Sequence, residues 1–221
     1  MISQLLEELK KLIPKKAMMK DPSDWDDPVA LKTEWGPLKG GGTNVRTHVM
    51  KIQDDGRHVF RPAFGYILFC GIFLVLGLGL LVLIAINDPK QWVAMLIGAV
   101  FALVGGGMLW FGGRPVAFDR SSGLVWRGWG DPRSDFEHGR EVSGTLCRLE
   151  EIHALQIIAE VCRGKNSRYK SYELNLVKVD GSRLNVVDHG DIARLRQDAA
   201  ALGVYLEAPI WDTTLPGGEG P

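Results

Sequence analysis

The chain has 221 residues and carries 26 basic and 26 acidic side chains, so its formal net charge is zero. That balance argues against a dedicated nucleic-acid binder, which carries a clear basic excess. Its three cysteines, Cys70, Cys147 and Cys162, match no metal or redox spacing and agree with free thiols.

Ser3 to Ile13 reads as a short amphipathic helix, with Ile2, Leu5, Leu6, Leu9, Leu12 and Ile13 at helical spacing, Ser3 as cap and Pro14 as stop. Lys10, Lys11, Lys15, Lys16 and Lys20 cluster at or beyond its end. The helix either lies on an anionic inner leaflet or docks on the domain or a partner. Lys20 to Gly42 is dense in Pro and Gly and reads as an irregular linker. Trp25 and Trp35 are unusual in a free linker and are expected to dock, either on the domain or at a membrane interface. Arg46 to Ile52 alternates, Asp54-Asp55-Gly56 turns and His58 to Arg61 continues, as a β-hairpin does.

The centre of the chain is its most informative part. Phe64 to Ile86 is an uncharged run of about 23 residues, long enough to cross a bilayer core of about 30 Å. Asn87-Asp88-Pro89-Lys90-Gln91 interrupts it, and Trp92 to Phe111 is uncharged again. Two spans with so short a connection predict an antiparallel helical hairpin. Gly71, Gly77, Gly79, Gly98 and Gly105 to Gly107 would weaken helices in water but permit close helix approach in lipid. Gly98 with Ala102, and Ala102 with Gly106, fit one small-residue interface. Trp92 and Trp110 sit near the ends of the second span, where amphipathic rings favour the headgroup level. Lys51, Arg57 and Arg61 precede the spans and Arg114, Arg120 and Arg127 follow them, against Lys90 alone between. The asymmetry predicts cytoplasmic termini and an external loop. The first residues lack the apolar core of a cleavable signal peptide.

Beyond the spans, strands are predicted at Arg114–Asp119, Leu124–Trp129, Ile152–Val161, Ser171–Val179 and Arg183–Val187, with Asp180-Gly181 turning the last hairpin. The polar loop Asp131 to Gly144 holds Asp135, Glu137, His138 and Glu141, a weak metal-ligand pattern. A helix follows at about Asp191 to Leu206, with Ile192, Leu195, Ala199 and Leu202 on its apolar face. Residues 213–221 read as a disordered tail. The segments are therefore 1–42, helix and linker; 43–62, β-hairpin; 63–112, two-helix hairpin; 113–212, β domain with its helix; and 213–221, tail. Whether the first β-hairpin joins the later sheet stays open.

Seven short antiparallel strands closed by a terminal helix is the layout of the pleckstrin-homology-like (PH-like) fold. The stretches Cys147 to Gln156, Tyr172 to Leu176 and Asp180 to Gly190 resemble those of uncharacterised bacterial two-span inner-membrane proteins with a PH-like cytoplasmic domain. The resemblance implies an α+β membrane protein, with a transmembrane helical hairpin joined to an antiparallel domain. It implies no chemistry.

Asp188-His189-Gly190-Asp191 is the most enzyme-like spot, but it also reads as a strand-to-helix turn. Glu150-Glu151 with His153 is a second cluster with no recognisable nucleophile nearby. The basic loop, with Arg163, Lys165, Arg168 and Lys170 beside Tyr169, is the better ligand-binding candidate, because several cations at close range attract an anionic headgroup. The expected function is non-enzymatic binding of a protein partner or of anionic membrane lipid, with no cofactor, no metal and no nucleic acid. Self-association through the Gly-rich helices is an added expectation. The alternatives are an immunity protein against a secreted bacterial toxin and a metal-dependent enzyme using His153 or His189.

Overall fold

The computed structural model describes residues 22–38, 40–133, 138, 144–163, with Arg163 as backbone alone, and 168–215. The expected helix at Ser3–Ile13, Lys165, and Asp135, Glu137 and Glu141 of the polar loop lie outside the described residues.

Two β-sheets face one another. The first is an antiparallel meander of β1 (His48–Ile52), β2 (His58–Pro62), β3 (Val116–Asp119), β4 (Leu124–Arg127) and β5 (Thr145–Arg148). The open question about the first hairpin is thereby answered. β2 pairs with β3, Phe60 opposite Val116, although both long helices lie between them in sequence. The helical pair is an insertion between two neighbouring strands, so its two ends must leave and re-enter the domain side by side.

The second sheet contains β6 (Ile152–Arg163), β7 (Arg168–Lys178), β8 (Arg183–His189) and β9 (Ile210–Asp212), in the order β8-β7-β6-β9. Phe60, Val116, Phe118 and Val125 of the first sheet share one buried core with Leu155, Ile157, Leu174 and Leu176 of the second. The C-terminal helix Ile192–Leu206 closes this core with Leu195, Ala199 and Leu202. Each fully buried leucine, isoleucine, valine or phenylalanine in this core contributes about 1.5–3 kcal/mol of transfer free energy. Asp191 caps that helix, accepting from the Arg194 amide at 3.2 Å.

Nine strands are thus present among the described residues, where seven were expected. The two unforeseen ones, β5 and β9, are four and three residues long, too short to show alternation. β9 also runs parallel to β6, so the expectation of a wholly antiparallel domain is corrected. Thr213, expected in the tail, is buried, and its amide and hydroxyl both donate to the Ile157 carbonyl.

Helix α2 (Phe64–Asn87) follows α1 (Pro28–Lys32), and α3 (Trp92–Gly107) runs on through a π-helical turn at Met108–Gly112. The two spans, 24 and 21 residues, are long and apolar enough to cross a membrane. Close approach explains their glycines: a Cβ on Gly77 would lie 2.3 Å from the Ala102 nitrogen, and one on Gly105 2.5 Å from the Leu74 nitrogen. The expected Gly98–Ala102 surface therefore packs against the partner helix of the same chain. The outward faces, including Val75, Val82 and Leu103, stay exposed.

Residues 22–42 form a strap over the outer face of the second sheet. The rings of Trp25 and Trp35 stack 6.0 Å apart, and Trp35 lies 5.6 Å from Trp211 of β9. These two tryptophans thus dock on the domain. Asp27 caps α1 through the Val29 amide at 2.8 Å, with Pro28 at the first helical position.

Candidate functional site

The predicted ligand loop closes the β6–β7 hairpin, where Arg163 pairs with Arg168. Arg168 and Lys170 are exposed and share one face of β7 by the two-residue period of a strand. Tyr169 falls on the other face, and its hydroxyl donates to the Gly42 carbonyl at 2.9 Å. It fastens the strap and is separated from the cations it was expected to accompany.

The histidine clusters are structural in their local geometry. His189 is buried; its Nδ1 accepts from the Asp191 amide at 2.9 Å. Burial, and then Arg46, lowers its pKa. Gly190 beside it has no room for a side chain, since a Cβ would lie 2.0 Å from the Asn44 carbonyl oxygen. His153 does not meet Glu151. It holds Asp27 of the strap at 2.7 Å, while Glu151 accepts from Lys178 at 3.0 Å. Burial works against the Asp27 carboxylate, but hydrogen bonds from His153 and the Val29 amide outweigh it and keep its pKa low. Among the described residues no three His, Cys, Asp or Glu side chains are placed to hold a metal ion.

A site that sequence reasoning missed lies where the helical pair meets the domain. A cavity of about 270 Å³ is lined there by His48, Tyr66, Gly112, Arg114, Arg127 and Asp188, among others. The π-helical turn widens the end of α3, and the Tyr66 hydroxyl donates to the Met108 carbonyl at 2.8 Å. Gly112 leaves room for this clasp, because a Cβ there would come within 2.2 Å of that hydroxyl and force the Tyr66 ring to shift. Arg114 follows directly and lays its guanidinium 5.1 Å from the Phe111 ring centroid. Among the described residues no carboxylate pairs with it.

Arg127 ends β4 and reaches across to the second sheet. Its Nη2 donates to the carbonyls of Asn185 and Val186 at 2.7 and 2.9 Å, while its buried Nε has no partner among the described residues. Burial and the neighbouring Arg114 oppose the charge on Arg127, and Asp188 favours it. His48 is buried, with Nδ1 3.1 Å from the Thr47 hydroxyl and Nε2 3.2 Å from the Arg114 carbonyl. Burial drives its pKa to about 4 despite the bond to that carbonyl, and Arg127 and His189 add to the effect. The imidazole is therefore neutral near pH 7, and the cavity presents two guanidiniums against one carboxylate.

A buried polar ladder joins this cavity to the strap. Asp188 accepts from Asn185 at 2.9 Å, Asn185 donates to Asn175 at 3.3 Å, and Asn175 donates to Glu173 at 3.1 Å. Glu173 in turn accepts from the Leu38 amide of the strap at 2.8 Å. Arg114 and Arg127 were legible in sequence as charge flanking the spans, but their convergence depends on strand pairing across the inserted helices, which spacing alone does not give. No family model matches the chain, and no curated protein matches it in sequence.

Proposed function

We propose that the chain is a non-enzymatic inner-membrane protein whose helical pair crosses the bilayer. Both termini lie in the cytoplasm, and a PH-like domain at the inner face binds anionic lipid headgroups or a protein partner. One observation carries this reading. Lys51, Arg61 and Arg114 gather at the domain end of the helical pair, and among the described residues none is paired with a carboxylate. At the opposite end Lys90 stands near Asp88. Juxtamembrane cations near an anionic leaflet each gain about 1 kcal/mol, and basic residues stay on the cytoplasmic side.

Two further features agree. The exposed rings of Trp110, Phe111 and Trp129 cluster at that same end, with the Trp129 indole donating to the Trp110 carbonyl at 3.2 Å, as interfacial aromatics do. Among the described residues nothing covers the outward apolar faces of both helices, and exposed to water they would form a patch far beyond what monomers expose.

Arg168 and Lys170, exposed at the start of β7, and Lys165 of the predicted ligand loop are the first place to test the binding role. Full-length protein extracted in mild detergent is expected to retain a lipid or protein, identified by mass spectrometry. The double variant Lys165→Glu/Arg168→Glu should reduce that retention severalfold. Unchanged retention would remove this turn from the binding surface.

A further inference from the structure

The cavity between the helix ends and the two sheets is a partly open, charged site among the described residues. The open groove along α2 is larger, about 1010 Å³, and holds Arg46, Lys51 and Arg61 with Asp54 and Asp55, of which Arg46 is paired with Asp198 and Asp55 with Arg57. The smaller cavity brings two guanidiniums together with one carboxylate. Asp188 is already engaged by the Asn185 amide at 2.9 Å and serves Arg127 as its nearest counter-charge. Arg114 lies over the Phe111 ring, and among the described residues no carboxylate pairs with its guanidinium. Arg114 is half-buried, so its guanidinium can still meet a ligand that enters from solvent or lipid. Its fork of donors matches a tetrahedral oxyanion.

Position narrows the class of ligand. Tyr66 and Gly112, the ends of the two apolar helices, line the cavity on one side, and Arg127, Asn185 and Asp188 of the sheets line it on the other. With the helices in lipid, this opening stands at headgroup height. A volume of about 270 Å³ falls just short of pockets for drug-sized molecules, roughly 300–1,000 Å³, and accommodates a phosphate group with its linking atoms.

We infer that this cavity binds the phosphate of an anionic phospholipid, with Arg114 and Arg127 as the cationic contacts. This inference rests on the membrane reading above and moves the headgroup site from the β6–β7 turn to the helix–sheet junction. Lipid binding there would tie the orientation of the domain to the bilayer, because the same residues join the helix ends to both sheets.

The test uses the full chain in detergent micelles, titrated with phosphatidylglycerol, with diacylglycerol of the same acyl chains, or with inorganic phosphate, and read by native mass spectrometry. The wild type is expected to bind one phosphatidylglycerol in preference to diacylglycerol. Arg114→Gln should weaken that binding about tenfold, the loss of one charge-assisted contact. Arg114→Lys, which keeps the charge but not the fork of donors, should restore part of it. The guanidinium of Arg114 makes no structural hydrogen bond among the described residues, so both variants should unfold at the wild-type temperature.

Wild-type affinity in Arg114→Gln would overturn the assignment. If the turn variant Lys165→Glu/Arg168→Glu lost binding in that case, the lipid reading would stand with its site elsewhere. Equal binding of phosphatidylglycerol and diacylglycerol by the wild type would overturn the lipid reading itself. Inorganic phosphate that bound alone, in an Arg114-dependent way, would then make the cavity a site for free phosphate and reject the phospholipid.

Discussion

His48 shows how one buried side chain reports on its charged surroundings. Its pKa is about 4 in the folded chain, against about 6.5 when unfolded. Below pH 6.5 the unfolded state therefore binds the proton more readily, and stability present above that pH is lost as pH falls toward 4. Between pH 7.5 and 4.5 the loss is about 2–3 kcal/mol. Asp198, whose pKa is raised by burial, titrates with the opposite sign, so the comparison must be made against a His48 variant. His48→Gln is expected to flatten the dependence of thermal unfolding on pH over this window. An equal slope in both proteins would show that the imidazole is not held neutral.

Among the elements, the strap 22–42 was the least legible. Its Pro and Gly content predicts an irregular linker, yet Pro22–Trp25 forms a 3-10 helix and Pro28–Lys32 an α-helix, and the chain between and beyond them is firmly held. Its backbone amides find carboxylates on the sheet: Gly41 and Gly42 donate to Glu160, each at 3.1 Å. Trp25 and Trp35 were the sequence signal that something docks. The partner, Trp211, lies on a three-residue strand that no periodicity reveals. Trp211→Ala should cost about 3–5 kcal/mol, the usual range for a buried tryptophan. It should also expose the strap to limited proteolysis before the sheets unfold. A strap as resistant as in the wild type would mean that its carboxylate anchors suffice alone.

The longer strands and the C-terminal helix were readable because they bury one face and alternate or repeat accordingly: Leu174 and Leu176 along β7, and Leu195, Ala199 and Leu202 on the helix. The two long apolar helices were readable by length and lack of charge. The cavity was not. His48, Tyr66, Arg114, Arg127 and Asp188 are far apart in sequence, and the Thr47–Asp188 hydrogen bond alone closes a separation of 141 residues. The expected clustering of Tyr169 with Arg168 and Lys170 failed for a simple reason, since neighbours on a strand point to opposite faces.

At the scale of the whole molecule, everything turns on which side of a bilayer the sheets occupy. The two sheets and the strap hang from the paired ends of one helical insertion, so the domain and the Asp88–Lys90 loop must lie on opposite sides if the helices span. The native cysteines are all buried, which keeps background labelling low. The most direct measurement is reaction of single-cysteine variants with a membrane-impermeant maleimide in intact bacterial cells. Lys90→Cys is expected to label in intact cells, whereas Ser122→Cys, in the turn between β3 and β4, should label only after the membrane is opened. Labelling of Ser122→Cys in intact cells, or recovery of the chain in the soluble fraction without detergent, would contradict the account.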